Sequence, residues 1–400
     1  MKKLMLLGGS QYLLPVIKTA HDLGIYVITC DYLPNNIAHK YSDEYCNVSV
    51  VNQDEVLEKA QELKIDGIMS FACDPGVTTA AYVAEEMGLA APGPYESVCI
   101  LQNKKRFREF LKVNGFNVPR FRSYRNIETA LGDAELLDYP VIVKPTDSAG
   151  SKGVKKVERV SGMKEALENA FDQSNSSEVI VEEYLEQLGC ASDSECFSVN
   201  GKLKFISFSA QRFDKTAENP YTPAAFSWPG TISSERETEL KTELQRLLTL
   251  LGMNSSLYNV EVRECLNGRA YIMECSPRGG GNCLAEMLQH ATGVDLIEAA
   301  VKAAMGLDFE IEQKPYNGNW AEIILHSESR GCFDDIFFDK NIEKYIVEKN
   351  LWVNQGDMVE TFTGANKSLG TVVMKFDTKD DLEDVLKEPS RYIRINVRGI

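Results

Sequence analysis

Residues 258–281, YNVEVRECLNGRAYIMECSPRGGG, decide how the rest of the chain is read. Two runs rich in Val, Ile and Tyr flank Asn267-Gly268, a pair that favours the type I′ turn between twisted antiparallel strands. With these two at the turn centre, Leu266 faces Arg269, and counting outward sets Glu261 opposite Glu274. Side chains alternate faces along a strand, so Ser276 projects on the same side as Glu274. Cross-strand Cβ atoms lie about 4.5–5.5 Å apart, close enough for like charges to repel. A hard divalent cation such as Mg2+ relieves that repulsion, which makes Glu261, Glu274 and Ser276 candidate metal ligands. A solvated acidic pair on an open sheet face, or a register slip that separates the two, is the plain structural alternative.

The chain has 400 residues, 44% of them hydrophobic and 26% charged, enough for two to three domains. A net charge of −16 argues against a general nucleic-acid or anionic-membrane surface, while leaving room for a local phosphate pocket. The apolar run after Lys2-Lys3 ends at Gly8-Gly9, too early for a signal peptide, and no stretch reaches the length of a membrane span. Ten cysteines are scattered without a CxxC pair, and Cys30, Cys99 and Cys265 sit in apolar runs. That pattern suits reduced, buried thiols in a cytoplasmic protein. No His stands beside a candidate Ser or Cys nucleophile, which disfavours a hydrolase triad.

Residues 1–100 alternate strand and helix, the pattern of a parallel sheet: KLMLLGG, IYVITCDY and DGIMSF as strands, 55–63 and 75–87 as helices, with Asp74 as an N-cap. The Gly8-Gly9 turn with Asp31 23 positions later invites a nicotinamide-dinucleotide reading, although GGSQYL lacks the GxGxxG spacing. A new unit starts at NKKRFREFLKVNGFNVP, where Lys104, Lys105, Arg106 and Arg108 crowd a helix start. Positive charge there is unfavourable unless something anionic lies nearby; a solvated basic helix is the alternative. In YPVIVKPTDSAGSKGV a strand carrying Lys144 stops at Pro145, and Gly150, Ser151, Lys152 and Gly153 form a loop whose backbone N–H groups can face phosphate oxygens. VIVEEYL is a strand running into a connector, Asn200-Gly201 marks a second hairpin, and 211–232 reads as a long Pro- and aromatic-rich loop. Residues 235–251 form an amphipathic helix, and Arg278 precedes three glycines that let a ligand approach bare backbone. From 311 onward WAEIILHSES, MVETFTG and SLGTVVMKF read as strands and TKDDLEDVLKE as a helix.

In this order the pieces resemble the ATP-grasp superfamily of ligases. The resemblance covers roughly 93–306, and it implies an α/β and α+β architecture. A doubly wound parallel-sheet domain (1–100) precedes an ATP-grasp fold (101–310) and a small C-terminal α+β region (311–400). The family's Asp-Lys helix start is Asn103-Lys104 here, and Lys144 takes the place of the α/β-phosphate lysine, with 150–153 as the phosphate lid. The adenine connector is carried by Glu182, Glu183 and Leu185, and the ribose carboxylate falls on Asp193, with Glu195 as the alternative. The metal motif reads Glu261 and Glu274-Cys-Ser276-Pro-Arg278, serine standing where the family has asparagine.

The resemblance implies ATP with Mg2+, or Mn2+ in its place, and transfer of a phosphoryl group to a carboxylate that an amine then attacks. Lys144 and Arg278 would serve the reaction directly, on small-molecule carboxylate and amine substrates, with a homodimer as the assembly. PRGGG followed by a helix and TGVDL is most similar to amino-acid and dipeptide ligases and to carbamoyl-phosphate-synthase-like proteins. A carboxylase or a purine-biosynthesis ligase is the alternative within the superfamily. A nicotinamide-dependent oxidoreductase and a non-catalytic nucleotide sensor are the alternatives outside it.

Overall fold

The computed structural model describes residues 1–148 and 150–399. Strands Lys3–Leu7, Tyr26–Cys30, Glu44–Cys46 and Gly67–Ser70 form one parallel sheet, with the first strand between the second and fourth. Leu4 to Leu7 and Val27 to Cys30 are fully buried, as expected of strands covered on both faces by helices. Helices Leu14–Asp22, Gln53–Leu63 and Asp74–Met87 complete this unit. The three-residue strand Glu44–Cys46 was too short to read from its sequence. Asp74 is not the N-cap: Cys73 holds that position and Asp74 is the first helical residue, its carboxylate engaged elsewhere.

Two antiparallel sheets follow. Phe121–Tyr124, Val179–Glu183, Val141–Pro145 and Lys155–Val157 pair in that order, backed by the helix Met163–Asp172 through Ala166, Leu167 and Ala170. Lys202–Ile206, Ser192–Val199, Ser256–Glu264 and Ala270–Ser276 form the other, backed by the helix Ser234–Leu250 through Leu240, Leu244 and Leu247. The connector between them is tied at both ends, Tyr184 N donating to Pro140 O and Leu188 N to Glu264 O.

The deciding hairpin keeps the expected register by an unexpected route. Cys265 N donates to Arg269 O and Gly268 N to Cys265 O, with Gly268 at φ +75°, so the loop has three residues and is not a type I′ turn. That shifts the pairing by one, to Glu264 opposite Ala270. A bulge between Glu261 and Val262 then shifts it back, and Glu261 stands opposite Glu274.

The segment read as a long loop, 211–232, contains two strands, with a turn left at 214–222. Ala210–Phe213 and Pro223–Trp228 pair with each other, and the second pairs with Asn319–Leu325 in a five-stranded sheet that also holds Gly370–Phe376 and Ile346–Leu351. Ala225 to Trp228 are buried on both faces, so the period-two pattern that signals a strand is missing. Of MVETFTG only Met358–Val359 is a strand; it joins Gly331–Phe338 and Ile393–Arg398 in a separate small sheet. Among the described residues no helix is long and apolar enough to cross a membrane.

Candidate active site

The face of the sheet that carries the hairpin presents six polar side chains in two rows. Asp193, Glu261 and Glu274 stand side by side on three neighbouring strands, and Glu195, Asn259 and Ser276 form the next row. Because 193 and 195, 259 and 261, and 274 and 276 are two apart, all six point to the same side. Asn259 Nδ2 donates to Asp193 Oδ1 at 2.8 Å, and Arg263 Nη2 to Glu261 Oε1 at 2.7 Å. Glu195 is fully buried and accepts from Gly280 N at 2.6 Å. Burial, reinforced by Glu261, pushes the Asp193 carboxyl up to about 7. Burial also pushes Glu195 up to about 8, against the Gly280 N–H. Asp193 is only half-buried, which leaves it the more accessible of the two acids considered for a ribose.

Cations reach this face from the helix Lys104–Val113, which lies between the two antiparallel sheets. Its basic start is met by acids: Lys104 Nζ meets Glu274 Oε1 at 3.1 Å, Lys105 meets Glu178 at 2.9 Å, Arg106 pairs with Glu96, and Arg108 Nε donates to Glu182 Oε1 at 2.7 Å. Arg108 is 0% exposed and also donates to Met273 O at 2.7 Å, so one side chain clamps both sheets. Lys144 Nζ takes the other Glu182 oxygen at 2.7 Å. Burial disfavours the charge on Glu182, but Arg108 and Lys144 outweigh it and hold its carboxyl at about 2. Burial pulls the Lys144 ammonium below the ordinary lysine range, only partly countered by Glu182. Burial acts the same way on Lys104, but Glu274 more than offsets it and the pKa is raised.

Lys144 is therefore not a surface lysine. Lys144→Met should weaken ATP binding at least about tenfold by calorimetry. It should also lower the melting temperature, because Glu182 keeps only Arg108 as a partner. Unchanged ATP affinity in a folded variant would show that Lys144 serves Glu182 alone.

Arg278 lies two residues beyond the strand Ala270–Ser276, held bidentately by Asp74: Nε to Oδ1 at 2.8 Å and Nη2 to Oδ2 at 2.9 Å. Ser276 Oγ donates to the same Asp74 Oδ1 at 3.2 Å and accepts from Gln102 Nε2 at 2.7 Å. The sequence marks Asp74 only as a helix start and gives no sign of Gln102; a pairing across 204 residues leaves no local signal. The glycines after Arg278 are required by space, since a Cβ on Gly279 would fall 2.2 Å from the Phe71 ring and one on Gly280 2.7 Å from Glu195 Oε1.

The glycine loop is tied to the 214–222 turn. Ser151 Oγ donates to Tyr221 O at 3.0 Å, and Lys104 Nζ reaches the loop's start at Ser148 O, 2.9 Å away. Gly150 and Gly153 have φ of +66° and +69°, and Lys152 is exposed. Glu183 points away from this cluster, paired with Arg120 at 3.1 Å, while Leu185 is buried among Cys265, Tyr271 and Met273. The structure thus gathers Lys104, Lys144, Glu182, Asp193, Glu261, Glu274, Ser276 and Arg278 between the two sheets and leaves the Glu183 side chain outside.

The donor set fits Mg2+ with a polyphosphate. Among the described residues no three His, Cys, Asp or Glu side chains could hold a metal ion by themselves. Mg2+ commonly takes one or two carboxylates and completes its shell from phosphate and water. The opposed pair Glu261 and Glu274, with Lys104 and Lys144 beside it, offers that arrangement.

A family model described as the ATP-grasp domain matches residues 137–286, the span from the Lys144 strand through Glu182 and the acidic rows to Arg278. This chain carries an ATP-grasp domain. Over 219 residues it is 24% identical to the carbamoyl phosphate synthase large chain of Thermoanaerobacter sp. (strain X514), covering 53% of this chain and 19% of that one. The chain therefore spans about a fifth of that relative's length. Over its whole length it superposes on the L-amino acid ligase from Bacillus licheniformis with a TM-score of 0.81 at 19% identity, covering 99% of that chain. It also superposes on phosphoribosylglycinamide synthetase from Anaerococcus prevotii with a TM-score of 0.77 at 23% identity, covering 99% of this chain and 100% of that one. At these identities the likeness shows a shared fold along the chain, with the ATP-grasp domain matched over residues 137–286.

One acid beyond the rows gives a pH prediction. Burial pushes the Glu286 carboxyl, on the helix after the glycines, up to about 7 from an ordinary 4.5. The folded state holds that proton more tightly than the unfolded state. The associated stability is fully present below about pH 4.5 and is lost as pH rises through about 7. Melting temperature should fall over that window, and Glu286→Gln should flatten part of the slope. An identical slope in the variant would contradict the assignment.

Proposed function

We propose that this protein is an ATP- and Mg2+-dependent ligase that joins a small-molecule carboxylate to an amine by way of an acyl phosphate. The observation that carries this reading is the opposed Glu261–Glu274 pair with Lys104 and Lys144 at its edge, at the junction of two sheets. Bound there, ATP and its Mg2+ would supply a phosphoryl group that activates the carboxylate toward the amine.

In this reading Glu261 and Glu274 hold the cation, with the Ser276 hydroxyl beside them. Lys104, Lys144 and the Gly150–Gly153 backbone neutralise and position the phosphates, and the backbone from Glu182 to Leu185 edges the adenine. Asp193 takes the ribose. Arg278, oriented by Asp74, stands over bare glycine backbone where an acceptor carboxylate can lie. No protein nucleophile is required, because the chemistry is positioning and charge neutralisation.

The nicotinamide reading has less support. A Cβ on Gly9 would fall 2.6 Å from Asn36 Cβ and 2.8 Å from the His39 ring, so this chain's own side chains fill the turn a pyrophosphate would need. The test is ADP release from Mg·ATP across a panel of carboxylates crossed with amines. ADP formed only when both are present supports the ligase; tight ATP binding with no ADP under any pairing would favour a nucleotide sensor.

A further inference from the structure

Beyond the glycine run that follows Arg278, the chain builds a second acidic recess. Cys283, the N-cap of the helix Leu284–Thr292, and Glu286 and His290 along it are spaced three and four apart, so they share one face. That face meets the five-stranded sheet. There Glu322 pairs with Val373 and Val373 with Glu348, while Ile324 pairs with Thr371 and Thr371 with Asn350. Alternation puts Glu322, Thr371, Glu348 and Asn350 on one side of the sheet. Diagonal neighbours such as Glu322 and Thr371 are within reach of a long side chain.

This recess is chemically incomplete. Glu322 is 0% exposed, and both of its carboxylate oxygens lack a hydrogen-bond partner. The Thr371 hydroxyl, also fully buried, lacks one as well. Buried polar atoms are nearly always partnered, and a lone unpaired carboxylate is among the costlier exceptions. The charged groups acting on Glu322 are themselves acids: Glu286, Glu348 and Glu195. His290 stands at the rim, committed to Glu348 at 2.7 Å. Tyr12 walls the N-terminal side, its hydroxyl donating to Asn282 Oδ1 at 3.0 Å. The recess adjoins the active site through Glu195, which binds Gly280 N on one side and acts on Glu322 on the other.

Three unpartnered acceptors among carboxylates match a small cation with three N–H donors. We propose that Glu286, Glu322 and Thr371 form the binding site for the ammonium group of an amino-acid substrate whose carboxylate lies across the glycines beside Arg278. This rests on the ligase reading and deepens it by naming the substrate class. An ammonium held among carboxylates keeps its proton and cannot attack, so it belongs to the substrate that contributes the carboxylate, and the attacking amine enters separately.

The test pairs the twenty proteinogenic L-amino acids with the 2-hydroxy acids of the same side chains, read by thermal shift and by ADP release from Mg·ATP. At least one amino acid should raise the melting temperature while its 2-hydroxy counterpart does not. Glu322→Gln should weaken that amino acid at least about tenfold while leaving ATP affinity unchanged. Glu286→Gln provides the same readout if Glu322→Gln fails to fold. Hydroxy and amino acids binding alike, no amino acid binding at all, or unchanged affinity in the folded variants would each overturn the recess. Amino-acid binding that is lost in Glu322→Gln but never accompanied by ADP release would uphold the recess and sink the ligase reading. ADP release driven only by carboxylates without an ammonium would do the reverse.

Discussion

Glu274→Gln is expected to lower ATP turnover at least about a hundredfold, the scale seen when a preorganised charge at a transferring group is removed. On the proposed metal assignment the variant leaves Glu261 alone to hold the cation, and it removes the ion-pair partner of Lys104. Opposed carboxylates suggest that the substitution should also relieve repulsion and stabilise the metal-free fold. The structure reverses that sign. Burial disfavours the Glu274 charge, but Lys104 and Lys144 prevail and hold its pKa below the ordinary carboxylate value. Ionised Glu274 therefore contributes stability above its unfolded pKa, and the glutamine variant should melt lower. Full turnover in a folded Glu274→Gln would remove the metal assignment.

Arg108→Leu should have the largest effect on stability. Breaking a buried ion pair from one side costs roughly 3–5 kcal/mol, because the surviving charge is left uncompensated. Here the survivor is Glu182, 2% exposed, which would retain only Lys144. The bond to Met273 O, which ties the helix to the second sheet, is lost as well. For a domain of this size the loss corresponds to a fall in melting temperature on the order of 10 °C. ATP binding should weaken with it, since Lys144 then becomes the sole partner of Glu182. A shift of less than about 2 °C would show that the pair contributes little net stability.

The sequence exposed the chemistry where it is local and hid it where it is not. The opposed glutamates could be read because the two strands of the hairpin, Ser256–Glu264 and Ala270–Ser276, are joined by a short loop. Even so, the register came out right through two shifts that cancel, a three-residue loop and a bulge. Lys144 and Glu182 stood on strands recognisable from Val and Ile, but their ion pair, and the Arg108 between them, depend on packing that no local pattern encodes. Asp74 carried a helix-start signal that concealed its role as the partner of Arg278. The 223–228 strand was missed because burial on both faces erases alternation. In Gly331–Phe338 the adjacent Asp334-Asp335 and a bulge at that point broke the pattern.

The measurement that tests the central claim most directly follows oxygen. The protein is incubated with Mg·ATP, a pool of amines and a pool of carboxylic acids, with and without amino groups, labelled with 18O in the carboxylate. The released phosphate is then examined by mass spectrometry. If a carboxylate is phosphorylated and then attacked by an amine, each phosphate formed carries one 18O from that carboxylate. Phosphate free of the label, formed at the same rate whether or not carboxylates are present, would contradict the account.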